Sequence, residues 1–163
     1  MAIQHVNRKG KTYYLHQGKT KTGKTKYFMS GRADGELAES IPEGFEIHED
    51  PNALVSIRKV VPTLVTPEEV ALVQESASKS AGVWALAQAE GEHIVVHLRE
   101  GSRYTPMFRF TLVDEQKRRF AVERWCFRGS IDDWFPLLSE GDLKPLVKKT
   151  LPHLGKESFY EMF

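Results

Sequence analysis

The segment Gly18-Lys19-Thr20-Lys21-Thr22-Gly23-Lys24-Thr25 meets every defined position of the phosphate-loop pattern G-x-x-x-x-G-K-[ST]. In a working phosphate loop the glycines let backbone N–H groups wrap the phosphates, the lysine reaches the outer ones, and the hydroxyl ligates magnesium. Phe110-Thr111-Leu112-Val113-Asp114-Glu115 resembles the apolar strand whose terminal acid holds that metal. The surroundings point elsewhere. A phosphate loop follows a buried apolar strand and opens into a long helix. Here Thr12, His16 and Gln17 precede it, and Lys26-Tyr27-Phe28-Met29-Ser30-Gly31 follows with a strand-like aromatic cluster. Nucleotide binding by this loop ranks behind the readings developed below.

Other residues with chemical potential are more dispersed. His93 and His97 have the i, i+4 spacing of a metal pair on a helix, but Ile94-Val95-Val96 between them and Leu98 beyond indicate a strand. On a strand they would stand about 13 Å apart, too far to share a metal ion. His16, His48 and His153 fall in unrelated segments. Cys126, between Trp125 and Phe127, reads as a buried structural thiol. Asp132 and Asp133 suit the first turn of a short helix capped by Ser130, where the helix dipole favours acids. These positions call for no catalytic residue, no metal and no cofactor.

The cations around the loop form the most concentrated pattern. Lys19, Lys21, Lys24 and Lys26, with Lys11 and Arg8 nearby, stand beside the hydroxyls of Thr20, Thr22 and Thr25. Tyr13, Tyr14, Tyr27 and Phe28 flank them. Lysines neutralise phosphates, and aromatic faces stack on bases. The expected interface is therefore Arg8, Lys11, Lys19, Lys21, Lys24 and Lys26, with Tyr14 and Tyr27 for stacking. A later cluster, Lys117, Arg118, Arg119, Arg124 and Arg128, is interleaved with acids and is a weaker signal.

The elements that must position these residues are antiparallel. Thr12–Gln17 and Thr25–Ser30 are rich in β-branched and aromatic residues, and the glycines between them supply hairpin φ angles. A short helix is expected over Gly35–Ile41, ended by Pro42 and Gly44. Phe45–Glu49 and Val55–Val60 flank the turn signal Asp50-Pro51-Asn52, so the first 60 residues read as one sheet of about four strands. Thr66 caps a helix from Pro67 to about Lys79, with Glu68 and Glu69 in its first turn. Strands are expected at Val83–Gln88, His93–Arg99, Met107–Val113 and Phe120–Phe127 as a meander. Helices at Asp142–Thr150 and Lys156–Met162 close the chain. The expected class is α+β, with an N-terminal hairpin module over residues 1–61 and an α+β module over 66–163.

The 163 residues carry 23 Lys+Arg against 22 Asp+Glu, and this near-balance hides a segregation. Residues 1–32 hold eight basic residues and no acid; residues 33–57 hold seven acids and no Lys or Arg. Such asymmetry signals either an electrostatic partner or internal pairing between adjacent stretches. A single cysteine excludes an intrachain disulfide and Cys-rich zinc modules. The N-terminus lacks a signal-peptide pattern and no window is apolar enough to span a membrane, so a cytoplasmic location is expected.

The stretch from Asn7 to Phe28, the run Trp125-Cys126-Phe127-Arg128-Gly129-Ser130-Ile131-Asp132-Asp133-Trp134 and the tail Pro152-His153-Leu154-Gly155-Lys156-Glu157-Ser158-Phe159-Tyr160-Glu161 together resemble a family of uncharacterised bacterial proteins. That resemblance implies a bacterial origin and carries over no activity and no site residue. The basic hairpin is also loosely similar, over about 25 residues, to the small three-stranded DNA-binding sheets of some phage-type integrases. The expected function is a non-enzymatic accessory protein that binds DNA or RNA through phosphate contacts. The alternative is a protein–protein interaction or regulatory module; neither involves a membrane.

Overall fold

The computed structural model describes residues 2–127 and 132–162. The fold is α+β, and the chain divides into two compact units, Met1–Val60 and Val61–Phe163.

In the first unit, β1 (Gln4–Val6), β2 (Thr12–Lys19) and β3 (Thr25–Ser30) form an antiparallel sheet in the order β1-β2-β3. Asn7 closes the β1–β2 turn. Its Oδ1 accepts from the N–H groups of Lys9 (3.0 Å) and Lys11 (2.8 Å). β4 (Phe45–Glu49) and β5 (Val55–Lys59) pair as a separate two-stranded sheet rather than joining the first. Their turn is an Asp-centred one: Asp50 Oδ1 accepts from Asn52 N–H and Leu54 N–H, both at 2.9 Å. Asn7 also donates from Nδ2 to the Ala53 carbonyl at 3.0 Å, which ties the two turns together.

The helix expected over Gly35–Ile41 does not form. Gln17 N–H donates to the Glu36 carbonyl (3.0 Å), and Ala38 N–H donates to the Leu15 carbonyl (2.9 Å). Leu37 thereby makes a bridge to His16. The β2 edge beyond the short β1 would otherwise leave buried backbone groups unpaired. Satisfying them outweighs a weak local helix preference.

The second unit opens with α1 (Pro67–Ala81), stopped at Gly82, whose φ of 59° few side chains tolerate. Thr66 Oγ1 accepts from Glu69 N–H at 3.1 Å, and Glu69 Oε1 accepts from Thr66 N–H at 2.8 Å, a complete capping box. Gly82–Trp84 forms a 3-10 turn where a strand was expected to start. Then come β6 (Ala85–Glu90), β7 (His93–Glu100), β8 (Arg103–Asp114), β9 (Arg119–Cys126) and β10 (Asp133–Asp142), in the antiparallel order β10-β9-β8-β7-β6. α2 (Leu143–Thr150) and two 3-10 turns, Leu151–His153 and Glu157–Glu161, complete it.

Register explains the core of this unit. Ile94, Phe110 and Val122 stand opposite one another across three strands, as do Val96 and Phe108, so they share the face that packs on Val73, Val147 and Leu151. Each fully buried phenylalanine contributes on the order of 1.5–3 kcal/mol, and together they fix which face is covered. The opposite face carries Arg109, held by Glu123 through two bonds of 3.0 and 2.7 Å, and His93, bonded to Thr111 at 2.9 Å.

β10 replaces the helix expected at Asp132–Asp133. Asp133 lies opposite Cys126, and its Oδ1 accepts from Trp134 N–H at 2.7 Å. Ser130, the expected cap, and Arg128 lie outside the described residues.

Candidate nucleic-acid interface

The β2–β3 hairpin presents a narrow tip. Lys19 pairs with Thr25 in the last rung, and residues 20–24 cross over. Thr20 N–H donates to the Lys24 carbonyl (2.8 Å), and Gly23 N–H donates to the Thr20 carbonyl (2.9 Å). Gly23 takes φ 85°, which is the reason a glycine stands there. Thr20 Oγ1 accepts from Lys24 N–H at 3.2 Å and lies 3.0 Å from Thr22 Oγ1. The hydroxyls of Thr20 and Thr22 thus bond within the tip. A strand, not a helix, follows the phosphate-loop pattern, so its backbone has no helix N-terminus to offer an anion.

The tip lysines differ from the arginines of this unit, though Lys9, Lys11 and Lys59 are likewise exposed and outside any ion pair among the described residues. Arg8 pairs with Glu49 at 3.0 Å and also reaches the Asp50 carbonyl. Arg32 forms a fork on Asp34 with bonds of 3.2 and 3.1 Å, and Arg58 pairs with Glu46 at 3.1 Å. The Arg8 and Arg32 pairs realise part of the internal neutralisation that the charge segregation allowed. Among the described residues, Lys19, Lys21, Lys24 and Lys26 are exposed and make no ion pair. Four cations are held at one end of a hairpin without a carboxylate in contact.

Two of the expected interface residues sit elsewhere. Arg8 and Lys11 flank the β1–β2 turn, at the end of β2 remote from the tip; at about 3.4 Å per residue, Lys11 is roughly 27 Å along the strand from Lys19. Lys11 Nζ lies 5.1 Å from the centre of the Tyr13 ring. Glu49, which holds Arg8, also accepts from His5 at 2.8 Å. Burial acts to raise the Glu49 pKa, but the bonds from His5 and from the Arg8 backbone outweigh it and leave the carboxyl below its ordinary value.

The two tyrosines face opposite ways. Directly opposed residues share a face, so Tyr14 (opposite Ser30) lies with His16 (opposite Phe28) and Gly18 (opposite Lys26). Tyr27, opposite Gln17, lies on the other face with Leu15 and Lys19. One ligand on one face meets one tyrosine, not both. Residues outside the expected set complete the Tyr14 face. Phe28 is 42% exposed and stacks on His16, with centroids 5.1 Å apart and rings 12° from parallel. Lys26 Nζ lies 5.8 Å from the Phe28 centroid. The strand register, and not alternation within either strand, is what selects Phe28 over Tyr27 as the partner of Tyr14.

The other candidates do not assemble. His93 and His97 lie on one strand, as the spacing suggested, and Cys126 is buried with its sulfur 3.3 Å from Arg124 Nη1. Among the described residues, no three His, Cys, Asp or Glu side chains are grouped to hold a metal ion, and no helix is long and apolar enough to cross a membrane. Compared with protein-family models, curated proteins and solved structures, the chain matches none.

Proposed function

We propose that this protein is a non-enzymatic nucleic-acid-binding accessory protein whose affinity comes from phosphate contacts at the β2–β3 tip. One observation carries the reading: four exposed cations cluster at the end of one hairpin, Lys21 and Lys24 in the turn and Lys19 and Lys26 on the strands beside it, with no carboxylate partner among the described residues, while Arg8, Arg32 and Arg58 in the same unit are each paired. Unpaired cations on a narrow protrusion match a phosphate backbone, which carries charge at regular intervals and attracts lysine by counterion release. Such contacts position a strand without reading its sequence. The test is location against charge. Replacing the four tip lysines by Gln is expected to abolish binding of labelled DNA or RNA in fluorescence anisotropy. Replacing the exposed Lys144, Lys148 and Lys149 of α2 is expected to leave most of it. Equal losses would make the binding a matter of net charge and remove the role of the hairpin.

A second reading, an interaction module for a protein partner, is favoured by Val83 and Trp84. They are 85% and 48% exposed in the 3-10 turn after α1. Retention of a partner in a pulldown, lost on Val83→Ser with Trp84→Ser, would support it.

A further inference from the structure

Beside the Phe28–His16 stack, the first unit contains a cavity of about 240 Å³ lined by His16, Phe28, Ser30, Arg32, Asp34 and Gly35. Drug-sized ligands occupy pockets of roughly 300–1,000 Å³, so this one suits a single planar ring rather than a whole nucleotide. His16 is 5% exposed, and its Nε2 lies 2.7 Å from the Arg32 carbonyl. A carbonyl only accepts, which places a proton on Nε2 and leaves Nδ1 of the neutral ring as an acceptor. Gly35 borders that nitrogen. A Cβ there would come within 3.7 Å of Nδ1, and φ of 94° keeps the position for glycine. Across the cavity Asp34 is gripped by Arg32, whose hydrogen bond and charge hold its carboxyl below the ordinary value. Each carboxylate oxygen retains a second lone pair. Gly18 lies on the same face, between Lys26 and Phe28. A Cβ in its place would lie 3.5 Å from Lys26 Cε and 3.9 Å from Phe28 Cε1.

We propose that this cavity takes one unpaired base bearing an exocyclic amino group, so that the hairpin engages single-stranded nucleic acid in preference to duplex. The inference rests on the reading of the tip as a phosphate-binding element. Phe28 supplies the stacking face, His16 Nδ1 and the Asp34 carboxylate supply acceptors for the amino group, and Lys26 on the same face meets the adjoining phosphate. Thymine and uracil present carbonyls where adenine and cytosine present an amino group. They would set acceptor against acceptor, a mismatch that costs more than a missing contact. A base within a duplex reaches the cavity only by unstacking, at a cost of a few kcal/mol.

The experiment uses the full chain and labelled homopolymers of about a dozen nucleotides, a length within the range one small domain covers. Oligo-dA, oligo-dC and oligo-rA are compared with oligo-dT, an abasic strand and a duplex of the same length, all at one salt concentration. The amino-bearing strands are expected to bind about tenfold tighter than the abasic strand, from base–aromatic stacking, and about tenfold tighter than oligo-dT, from the acceptors that thymine leaves unsatisfied. Phe28→Leu keeps an apolar side chain at an exposed position and is expected to erase that difference while leaving lysine-dependent binding. Equal affinity for all strands, or tighter duplex binding, overturns the base site. If lysine-dependent binding persists in those cases, the phosphate-binding reading stands alone. No binding to any of them removes both.

Discussion

Glu69 in the first turn of α1 is clamped by Arg118, which lies 49 residues further along the chain in the β8–β9 turn. Arg118 Nε donates to Glu69 Oε2 at 3.0 Å, and Nη2 reaches Oε1 of the same carboxylate and, at 3.1 Å, the Leu64 carbonyl. One side chain thereby completes a helix cap and fixes a turn in which Arg118 itself adopts φ of 51°, rare for a residue with a Cβ. Burial pushes the Glu69 pKa up, but hydrogen bonds from Arg118 and from Thr66 more than compensate and hold it below 4.5.

This clamp has a pH signature. A carboxyl whose folded pKa is depressed stabilises the fold fully above its unfolded value and loses that contribution as pH falls through the folded one. Glu69→Gln is expected to cost about 1.5–3 kcal/mol at neutral pH, the range for hydrogen bonds to charged groups. Urea midpoints of the wild type and the variant should converge as pH drops below about 4.5. A gap that stays constant with pH would show that the carboxylate charge contributes nothing.

Arg124 is 5% exposed and has no carboxylate in contact among the described residues. It donates instead to the carbonyls of Met162 (3.1 Å), Trp125 (2.9 Å) and Tyr160 (3.4 Å), and its guanidinium lies 4.7 Å from the Phe159 ring centre. It serves as the socket for the final 3-10 turn. Arg124→Lys preserves the charge and loses the planar fork, so it is expected to cost at least about 2 kcal/mol, from two or more acceptors left unsatisfied. Urea unfolding measures the loss, and limited proteolysis should cut within the last residues first. A cost below about 0.5 kcal/mol, the scale of ordinary surface changes, would contradict the socket role.

Gln74 guards the edge of the five-stranded sheet. From α1 its Oε1 accepts from Ala87 N–H at 2.8 Å, and its Nε2 donates to the Ala85 carbonyl at 3.1 Å. β6 is the outermost strand, so these bonds occupy groups that would otherwise recruit another chain. Gln74→Met keeps the volume and removes both bonds. It is expected to lower stability by about 1–3 kcal/mol and to raise light scattering on storage. Unchanged scattering at reduced stability would assign Gln74 to packing alone.

How far these features can be read from the sequence depends on which forces are local. α1 is legible because Thr66, Pro67 and Glu69 are local signals and Val73 and Ala77 fall on its buried stripe. The strands from Ala87 to Val122 are legible because one covered face imposes alternation. β10 is obscured by Pro136 and Gly141 and by register shifts on either side of Leu138, which break any period of two. Residues 36–38 mislead because what holds them extended is the backbone edge of β2, invisible to local propensity. At the interface the lysines of the tip are apparent from spacing. The division of Tyr14 and Tyr27 between two faces requires the register, and the His16–Phe28 stack requires residues twelve positions apart to meet.

The salt dependence of nucleic-acid affinity tests the central claim most directly. If the four tip lysines each neutralise one phosphate, log affinity plotted against log salt concentration between about 50 and 200 mM falls with a slope near −3.6 for duplex and near −2.8 for single strands. Each Lys→Gln substitution among Lys19, Lys21, Lys24 and Lys26 is then expected to reduce the slope by about 0.9 or 0.7 respectively. A slope near zero, or one that these substitutions leave unchanged, would contradict the assignment of phosphate binding to the hairpin tip.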